Sequence, residues 1–424
     1  MGAVTRRSPV VGVQSQVGRR HRPDYMLLIL CSLMLAIGLI VVYAISPALA
    51  VEKNVSNNYF VNHQLIAIAL GLVIFTITSR IPLDVWKKLG IPLLVIAGVA
   101  TIIALLLPVN ANYPAHRWIR LGSLSFQSVE LLKFAFLVWV ASFLAMQSRQ
   151  GLLGDFKATL RPLGIAFGVA AVIVAFIQSD LGSAGVMIAM GFTMVFIAGV
   201  PMKRLILGLI AIVLLCTVAI TATPYRRDRL STYLNPQADC LNAGYQACQA
   251  LMAVGTGGMI GLGLGKSVQA FGYLPEAEND SIFAIYSEKF GFIGVSVLLA
   301  LLLGLFARLK SIMERAPDDF TRLVVAGVFA WLAVQALINI GAMLGVLPLK
   351  GITLPFISYG GTSILLVMAA LGLVFQVSRY TLYSVPRQTD GIGGRGYERS
   401  AQAENRSDGR RFRGAYHPGS GSRP

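Results

Sequence analysis

Three carboxylates crowd one short stretch of an otherwise apolar chain, YLPEAENDSIFAIYSEKFG. Glu276, Glu278 and Asp280 fall within five positions and precede an apolar run that begins at Ser281. Asp280 is nearest to this run, so it can be a carboxylate at the mouth of a cavity, where partial loss of solvent would raise its pKa. Glu276 and Glu278 are expected to be solvated. The alternative interpretation of the stretch is an ordinary solvated loop.

A second stretch, PYRRDRLSTYLNP, concentrates positive charge where little is expected. Its Arg226, Arg227 and Arg229 follow an apolar run, on the side of the membrane that should be poor in Lys and Arg. A guanidinium binds phosphate oxygens in a forked geometry, so the phosphate or pyrophosphate of an external lipid is a natural ligand. A salt bridge with Asp228, or contact with a partner protein, is the alternative.

Two further stretches place ionisable side chains among apolar residues, where such groups usually face a cavity or a partner. In HRWIRLGSLSFQSVELLKF, Arg120 precedes Gln127, Glu130 and Lys133. Glu130 and Lys133 are three positions apart on a predicted helix, so they can pair. The pair either neutralises itself between helices or lines a polar cavity. In QSDLGSAG, Asp180 either caps the next helix or supports a site as an inward-facing carboxylate.

Membrane-spanning helices are the elements that must position these groups. The chain of 424 residues is 55% hydrophobic and 13% charged, with a mean hydropathy of +0.69, whereas a soluble domain carries about 25% charged residues. Apolar runs of about 20 residues cross the hydrocarbon as helices, because lipid offers no partner to stray backbone groups. Ten spans fit: 25–46, 63–79, 91–108, 128–147, 162–178, 182–199, 204–222, 288–308, 323–346 and 358–379.

The predicted fold class is therefore an all-α polytopic membrane protein, with ten transmembrane helices and a large external loop, residues 223–287, between helices 7 and 8. Residues 1–24 and 381–424 are predicted basic cytoplasmic tails around a membrane domain of residues 25–380, and the second tail is predicted to be disordered. Most of the 36 Lys and Arg residues fall in these tails and in four short loops. This bias sets orientation, so the formal charge of +17 does not indicate nucleic-acid binding.

The predicted external loop has two further features. Cys240 and Cys248 lie in it, where a disulfide is allowed, and the sequence fits a disulfide and two free thiols equally well. The stretch GTGGMIGLGLGKS is rich in Gly, and parts of it are expected to enter the membrane as re-entrant or interfacial pieces. It lacks the Gly spacing of a nucleotide-binding P-loop, and the chain shows no Cys and His spacing typical of zinc sites.

These stretches, in this order between these spans, resemble the SEDS family, the membrane proteins of cell shape, elongation, division and sporulation. The resemblance covers residues 25–380 and rests also on GYQACQALMAVGTGGMIGLGLGKSVQ and LPFISYGGTS. It is nearest to the division branch, with the elongation branch as the alternative. The chain departs from the family pattern in having Ser128 in place of Pro, Ser281 in place of an aromatic residue and Lys289 in place of Glu.

The resemblance implies a peptidoglycan glycosyltransferase that polymerises lipid II into glycan strands on the outer face of the cytoplasmic membrane, at the division septum. Asp280 would be the catalytic carboxylate. The candidate contacts to substrate and pyrophosphate are Arg120, Glu130, Lys133, Arg226, Arg227, Lys266 and Lys350. The supporting residues would be Gln127, Asp180, Glu276 and Glu288. The resemblance establishes no cofactor, and one carboxylate beside phosphates would suit Mg²⁺ or another divalent cation at Asp280.

The implied partners are a class B penicillin-binding protein transpeptidase, which would cross-link the strands, and other division proteins. Two other functions fit a polytopic membrane protein: a flippase that moves lipid II across the bilayer, and a scaffold without chemistry. A flippase would distribute charged residues through the depth of the membrane, whereas those of this chain cluster on the predicted outer side. We therefore expect an enzyme of the inner membrane with both termini in the cytoplasm.

Overall fold

A computed structural model describes residues 19–20, 22–107, 118–121, 124–208, 210, 214, 232–233 and 235–381. Their helices are α1 (Tyr25–Lys53), α2 (Tyr59–Thr78), α3 (Leu83–Leu106), α4 (Ser128–Arg149), α5 (Arg161–Ala171, between the π-helical turns Phe156–Leu160 and Val172–Ile177), α6 (Leu181–Ala198), α7 (Tyr245–Thr256), α8 (Ile282–Glu314), α9 (Asp319–Met343) and α10 (Gly361–Val377), with a 3₁₀ turn at Pro236–Asp239. Two antiparallel pairs of short strands accompany them: β1 (Arg19–Arg20) with β4 (Tyr380–Thr381), and β2 (Trp118–Leu121) with β3 (Leu124–Gln127).

Eight of the described helical segments are long and apolar enough to cross a membrane, and α10 is a shorter apolar helix. These segments overlap every predicted span except 204–222, of which only residues 204–208, 210 and 214 are described. The prediction of a helical, polytopic membrane protein is therefore confirmed, while the count of ten helices and the placement of the loop 223–287 stay predictions. The chain divides into a compact unit, Met1–Leu382, and a second unit, Tyr383–Pro424, which lies outside the described residues.

Several helices extend beyond the spans predicted from hydropathy. Helix α1 continues to Lys53, α3 begins at Leu83, and α8 begins at Ile282. A hydropathy span marks the part of a helix that lipid surrounds, whereas the helix itself ends where other groups satisfy its backbone. Asp24, for example, starts α1 by accepting hydrogen bonds from two backbone N–H groups, over 3.1 and 3.3 Å.

Helices α4, α9 and α10 form the buried centre of the bundle, and α2 and α3 expose much apolar surface of the kind that lipid covers. Helix α9 packs on α4, α6 and α8, and α10 packs on α2. Glycine permits one very close approach: a Cβ at Gly38 of α1 would lie only 2.5 Å from the carbonyl oxygen of Phe356. Helix α1 therefore touches the segment before α10 at backbone distance.

The two strand pairs define the ends of the bundle. Strands β1 and β4 lie directly before α1 and after α10, so the chain enters and leaves at one end, which we call the tail end. Strands β2 and β3 lie between α3 and α4 at the opposite end. There, the hydroxyl of Thr362 accepts a hydrogen bond from the N–H of Gln127 over 3.2 Å and donates to the carbonyl of Ser125 over 3.1 Å. Residues 235–281 lie at this second end, which we call the loop end.

Candidate active site

Asp280 lies in the turn that leads into α8, at the loop end. Its side chain is partly buried, and its Oδ1 atom is buried without a hydrogen-bond partner in the described part of the chain. Burial, and then the negative charges of Glu276 and Glu278, raise the pKa of the Asp280 carboxyl from its ordinary value of 3.8 to about 7. A carboxylate with a pKa near neutrality is well suited to accept a proton from a hydroxyl group.

Three consecutive carbonyl groups, those of residues 278–280, hold this turn in place. The first accepts a hydrogen bond from the N–H of Tyr359 over 2.8 Å, and the second from the hydroxyl of Ser358 over 2.6 Å. The third accepts from Nδ2 of Asn339 over 2.7 Å, and the same nitrogen donates to the carbonyl of Ile352 over 2.7 Å. The turn is thus fixed to its neighbours through its backbone rather than through the Asp280 carboxylate.

Ser281, which stands where the SEDS pattern has an aromatic residue, is fully buried. Its hydroxyl donates to the carbonyl of Pro275 over 2.8 Å and accepts from Nε2 of Gln246 over 3.1 Å. Gln246 belongs to α7, and a disulfide between Cys240 and Cys248 ties α7 to the turn before it. The disulfide, which the sequence left open, therefore fixes the helix that contacts the start of α8.

The other two carboxylates of the turn differ from each other. Glu276 is exposed and accepts a hydrogen bond from Nδ2 of Asn279 over 2.5 Å. Glu278 is only 2% exposed and forms an ion pair with Lys53 of α1. The prediction that Glu278 is solvated is therefore wrong. It lies farther along the chain from the apolar run than Asp280 does, but the turn folds it against α1, which extends past its predicted span to Lys53.

Glu288 is fully buried on α8 and anchors the loop that precedes the turn. Its carboxylate accepts hydrogen bonds from the hydroxyl of Ser267 over 2.5 Å and from the next two backbone N–H groups over 2.8 and 3.2 Å. Lys289, which stands where the SEDS pattern has Glu, donates from Nζ to the carbonyl of Leu264 over 2.8 Å. Both residues therefore hold the segment 264–269 against α8.

The Gly-rich stretch packs into a break in α8. Gly291 has a φ of +63°, in the left-handed region, and interrupts the helix. The N–H of Phe292 donates to the carbonyl of Gly258 over 2.8 Å, so the break is satisfied by the stretch. A Cβ at Gly261 would lie 2.2 Å from the carbonyl oxygen of Lys289, so this approach requires glycine. Membrane proteins tolerate an interrupted helix where protein satisfies the freed backbone groups in this way.

Glu130 and Lys133 form a buried ion pair on α4, with exposed fractions of 3% and 1%. The Nζ atom of Lys133 lies 2.7 Å from Oε1 of Glu130 and 3.1 Å from Oε1 of Gln335, and it lies over the ring of Trp331. The indole N–H of Trp331 donates to the same Gln335 oxygen over 2.8 Å. Oε2 of Glu130 is buried without a hydrogen-bond partner among the described residues. The two charges therefore neutralise each other, while this carboxylate oxygen can still accept a hydrogen bond.

Helix α9 connects this ion pair with Asp280. Gln335 and Asn339 are four residues apart, so they lie on one face of the helix. Nε2 of Gln335 donates to the carbonyl of Thr353 over 3.0 Å, next to the Ile352 carbonyl that Asn339 contacts. Two adjacent carbonyls of the segment before α10 therefore join the ion pair and the Asp280 turn into one hydrogen-bonded network.

Asp180 caps α6, because its Oδ1 accepts a hydrogen bond from the N–H of Ser183 over 3.0 Å. Its second oxygen, Oδ2, is buried and has no hydrogen-bond partner within the ranges that the structure describes. The start of α6 lies beside Lys350, since a Cβ at Gly182 would lie 3.3 Å from the Cβ of Lys350. The capping interpretation of Asp180 is thus confirmed, and the residue lies next to the segment that links the network.

The remaining predicted residues are less closely connected. Arg120 lies in β2, and Gln127 ends β3 directly before α4. Lys266 is exposed in the segment that Glu288 anchors. Arg226 and Arg227 lie outside the described residues.

No group of three or more His, Cys, Asp or Glu side chains in the described ranges is placed to hold a metal ion. Asp280 would therefore supply one ligand to a divalent cation such as Mg²⁺, and most of the other ligands would come from phosphate oxygens and water. This arrangement suits a cation that arrives with a phosphorylated substrate.

Sequence reasoning missed three residues that position the turn: Gln335, Asn339 and Lys53. The first two carried a usable signal, because an amide side chain within an apolar span usually has a buried partner. Their four-residue spacing also placed them on one face. Lys53 carried no such signal, because its partner Glu278 is distant in the sequence and the predicted span of α1 ends at residue 46.

A bundle of apolar helices, with a buried polar network that ends on a half-buried carboxylate at one end, defines an integral membrane protein with a candidate reaction site at its surface. Residues 24–383 match the family model of FtsW, RodA and SpoVE, described as cell cycle proteins. The chain belongs to this family.

Curated relatives and solved structures support the assignment. The stage V sporulation protein E of Bacillus subtilis is 38% identical over 86% of this chain and 99% of its own length. The probable peptidoglycan glycosyltransferase FtsW of Thioalkalivibrio sp. strain K90mix is 38% identical over 88% and 93%. A chain from a solved peptidoglycan synthase complex, described as coordinating polymerization and crosslinking, is 28% identical, covers 84% of this chain and 98% of that one, and has a TM-score of 0.69. The RodA structure from Thermus thermophilus is 25% identical, with coverage of 84% and 97% and a TM-score of 0.59.

Proposed function

We propose that this protein is a peptidoglycan glycosyltransferase that polymerises lipid II into glycan strands on the outer face of the cytoplasmic membrane, for septal wall synthesis during division. The observation that carries the proposal is Asp280, a half-buried carboxylate with a pKa of about 7 and an unpartnered oxygen, fixed at the loop end by its backbone. The names of the curated relatives supply the class of reaction.

In this reaction, the hydroxyl oxygen of an acceptor sugar forms a bond to the anomeric carbon of the lipid-linked strand. The bond from that carbon to the pyrophosphate breaks, and the lipid pyrophosphate leaves. Asp280 accepts the hydroxyl proton, which a carboxylate with a pKa near neutrality does efficiently. Positive side chains stabilise the charge on the leaving pyrophosphate, and the candidates are Arg120, Arg226, Arg227, Lys266 and Lys350.

The buried ion pair suggests a positioning role for Glu130 and Lys133. Lys133 is 1% exposed and already contacts Glu130 and Gln335, so it acts on the substrate through α9 rather than by direct contact. Gln335 and Asn339 donate hydrogen bonds that hold the segment before α10 and the Asp280 turn in place relative to this pair. Asp180 and Glu288 hold adjoining backbone segments in the same way, at the start of α6 and at residues 267–269.

The paired strands at the tail end support ten membrane spans with both termini in the cytoplasm. Strands β1 and β4 pair directly, so the chain begins and ends its membrane domain on one side and must cross an even number of times. The described residues supply nine helical segments that overlap predicted spans. The proposed tenth crossing covers residues 204–222, and the basic residues of the tail end support a cytoplasmic location for that end.

A class B penicillin-binding protein is the proposed partner, together with other division proteins. The support is the structural neighbour, which belongs to a synthase complex that coordinates polymerization and crosslinking. A polymerase that makes uncross-linked strands needs a transpeptidase beside it.

A role in cell elongation is the alternative function, because one structural neighbour is a rod shape determining protein. A tagged copy of the full chain distinguishes the two roles: a division enzyme concentrates at the septum, and an elongation enzyme along the lateral wall.

Polymerisation of lipid II by the purified full chain with its transpeptidase partner tests the proposed activity. We expect Asp280→Asn and Asp280→Ala to abolish the formation of glycan strands. Glu52→Gln, which removes an exposed carboxylate from α1, is the matched control and should retain activity. Strands of normal length and rate from both Asp280 variants would refute the role of Asp280 as the base.

A further inference from the structure

The hydroxyl of Ser281 joins the Asp280 turn to α7. Ser281 lies between Asp280 and the first residue of α8, and it is fully buried. Its hydroxyl donates to the carbonyl of Pro275 over 2.8 Å and accepts from Nε2 of Gln246 over 3.1 Å. Its N–H donates to the carbonyl of Glu276 over 3.2 Å. Ser281 therefore closes the turn on itself and also ties it to a helix from an earlier part of the chain.

Helix α7 is a fixed support for Gln246. Gln246, Ala250 and Ala253 share one face of this helix, at spacings of four and three residues, and the helix packs on α8. Both alanines are fully buried. The disulfide holds the start of α7, and at its other end a Cβ at Gly257 would lie 2.1 Å from the carbonyl oxygen of Ser287. The amide of Gln246 therefore stands on a packed helix face that leaves it little room to move.

The bond between Gln246 and Ser281 depends on the departure of this chain from the SEDS pattern. The aromatic residue that the pattern has at position 281 would carry no oxygen atom so near its own backbone. An aliphatic side chain at position 246 would fill space on α7 without donating a hydrogen bond. Packing alone therefore does not require the amide and the hydroxyl together, and their pairing indicates a role in holding the turn.

We infer that Gln246 is a positioning residue for the proposed glycosyl transfer, because it fixes, through Ser281, the direction in which the Asp280 carboxylate faces the acceptor hydroxyl. This role rests on the proposed function and adds a residue to it. The carbonyls of residues 278–280 are held from α9 and from the segment before α10, whereas Gln246 holds the next residue from α7. The carboxylate branches from the backbone between these two sets of bonds, so a small shift at Ser281 would turn it away from the acceptor. Rates fall steeply when a catalytic group is misplaced by even a small distance.

Polymerisation of lipid II by the purified full chain with its transpeptidase partner, over a range of lipid II concentrations, tests this role. We expect Gln246→Leu to lower kcat about tenfold and to leave KM unchanged, because the lost bond acts on the chemical step rather than on substrate binding. Gln150→Leu makes the same exchange at an exposed position directly after α4, at the tail end, and should keep the kcat of the wild type. Unchanged kinetics in Gln246→Leu, or a raised KM with a normal kcat, would overturn the positioning role.

A double-mutant cycle with Ser281→Ala tests whether Gln246 acts through the hydroxyl. In the Ser281→Ala background, Gln246→Leu should lower kcat by less than about twofold, since the bond is already lost. An equal loss in both backgrounds would show a general disturbance of α7 and would overturn the inference. If Asp280→Asn is inactive while Gln246→Leu behaves as the wild type, the proposed function stands and the positioning role fails. A wild type that forms no strands would refute both.

Discussion

Replacing Asp280 with Asn should stabilise the folded protein at high pH while it removes polymerase activity. The folded-state pKa of the Asp280 carboxyl is about 7, above its ordinary value of 3.8. Between these values the unfolded chain ionises readily, whereas the folded chain holds its proton because ionisation of a half-buried carboxylate near Glu276 is unfavourable. The free energy of unfolding therefore falls as pH rises from about 4 to about 7, and then stays level.

The expected magnitude follows from the two pKa values. A pKa unit corresponds to about 1.4 kcal/mol, so the difference between 3.8 and about 7 amounts to about 4 kcal/mol at high pH. Partial exposure of the side chain makes this an upper bound. At about pH 4, the same carboxyl costs only about 0.5 kcal/mol, because the folded state is protonated and the unfolded state is only about half ionised. Asn has nearly the same shape as Asp and carries no charge at either pH.

Unfolding of the wild type and Asp280→Asn in one detergent, at about pH 4 and about pH 9, measures the effect. We expect the variant to gain stability at the higher pH and to match the wild type at the lower one. Glu52→Gln, which removes an exposed carboxylate, should show no such difference. No gain in stability for Asp280→Asn at high pH, or an equal gain at both pH values, would show that the cost does not come from ionisation.

Three further predictions concern the surrounding framework. Lys133→Met leaves the Glu130 carboxylate buried without its partner and should lower the free energy of unfolding by about 3–5 kcal/mol. Adding Glu130→Gln should restore most of this stability. An equal loss in the single and the double variant would contradict the pairing. Asn339→Leu leaves two buried carbonyl groups without a donor, so we expect about 2–6 kcal/mol of destabilisation and slower polymerisation, whereas unchanged rates would remove Asn339 from the framework. Cys240→Ser opens the disulfide and should lower stability by about 2–3 kcal/mol; a reducing agent should lower the melting temperature of the wild type and not of this variant.

The sequence predicted the features that depend on local pattern. Long apolar runs marked the spans because lipid leaves a helix as the only continuous structure. Glu130 and Lys133 could be paired because a separation of three residues is a contact on any helix. The position of Asp280, at the boundary between a polar turn and an apolar run, indicated the desolvation that raises its pKa.

The sequence did not predict the contacts between distant parts of the chain. Glu278 is buried because Lys53 reaches it from α1, and nothing near either residue in the sequence indicates the other. The break in α8 at Gly291 is satisfied by backbone contacts with the Gly-rich stretch, which lies earlier in the chain. Hydropathy also placed the start of this helix at residue 288, whereas it begins at Ile282. The dual role of Asn339 likewise depends on two carbonyls that the fold brings together.

The backbone attachment of the Asp280 turn also bears on how the site can evolve or be redesigned. The carbonyl groups of residues 278–280 accept the bonds that hold the turn, and every residue type offers the same carbonyl. The identity of the side chain at position 280 is therefore separable from the architecture that presents it. A different acid, or an imidazole, could be installed there on an unchanged frame, which makes this position a natural place to vary the chemistry of the enzyme.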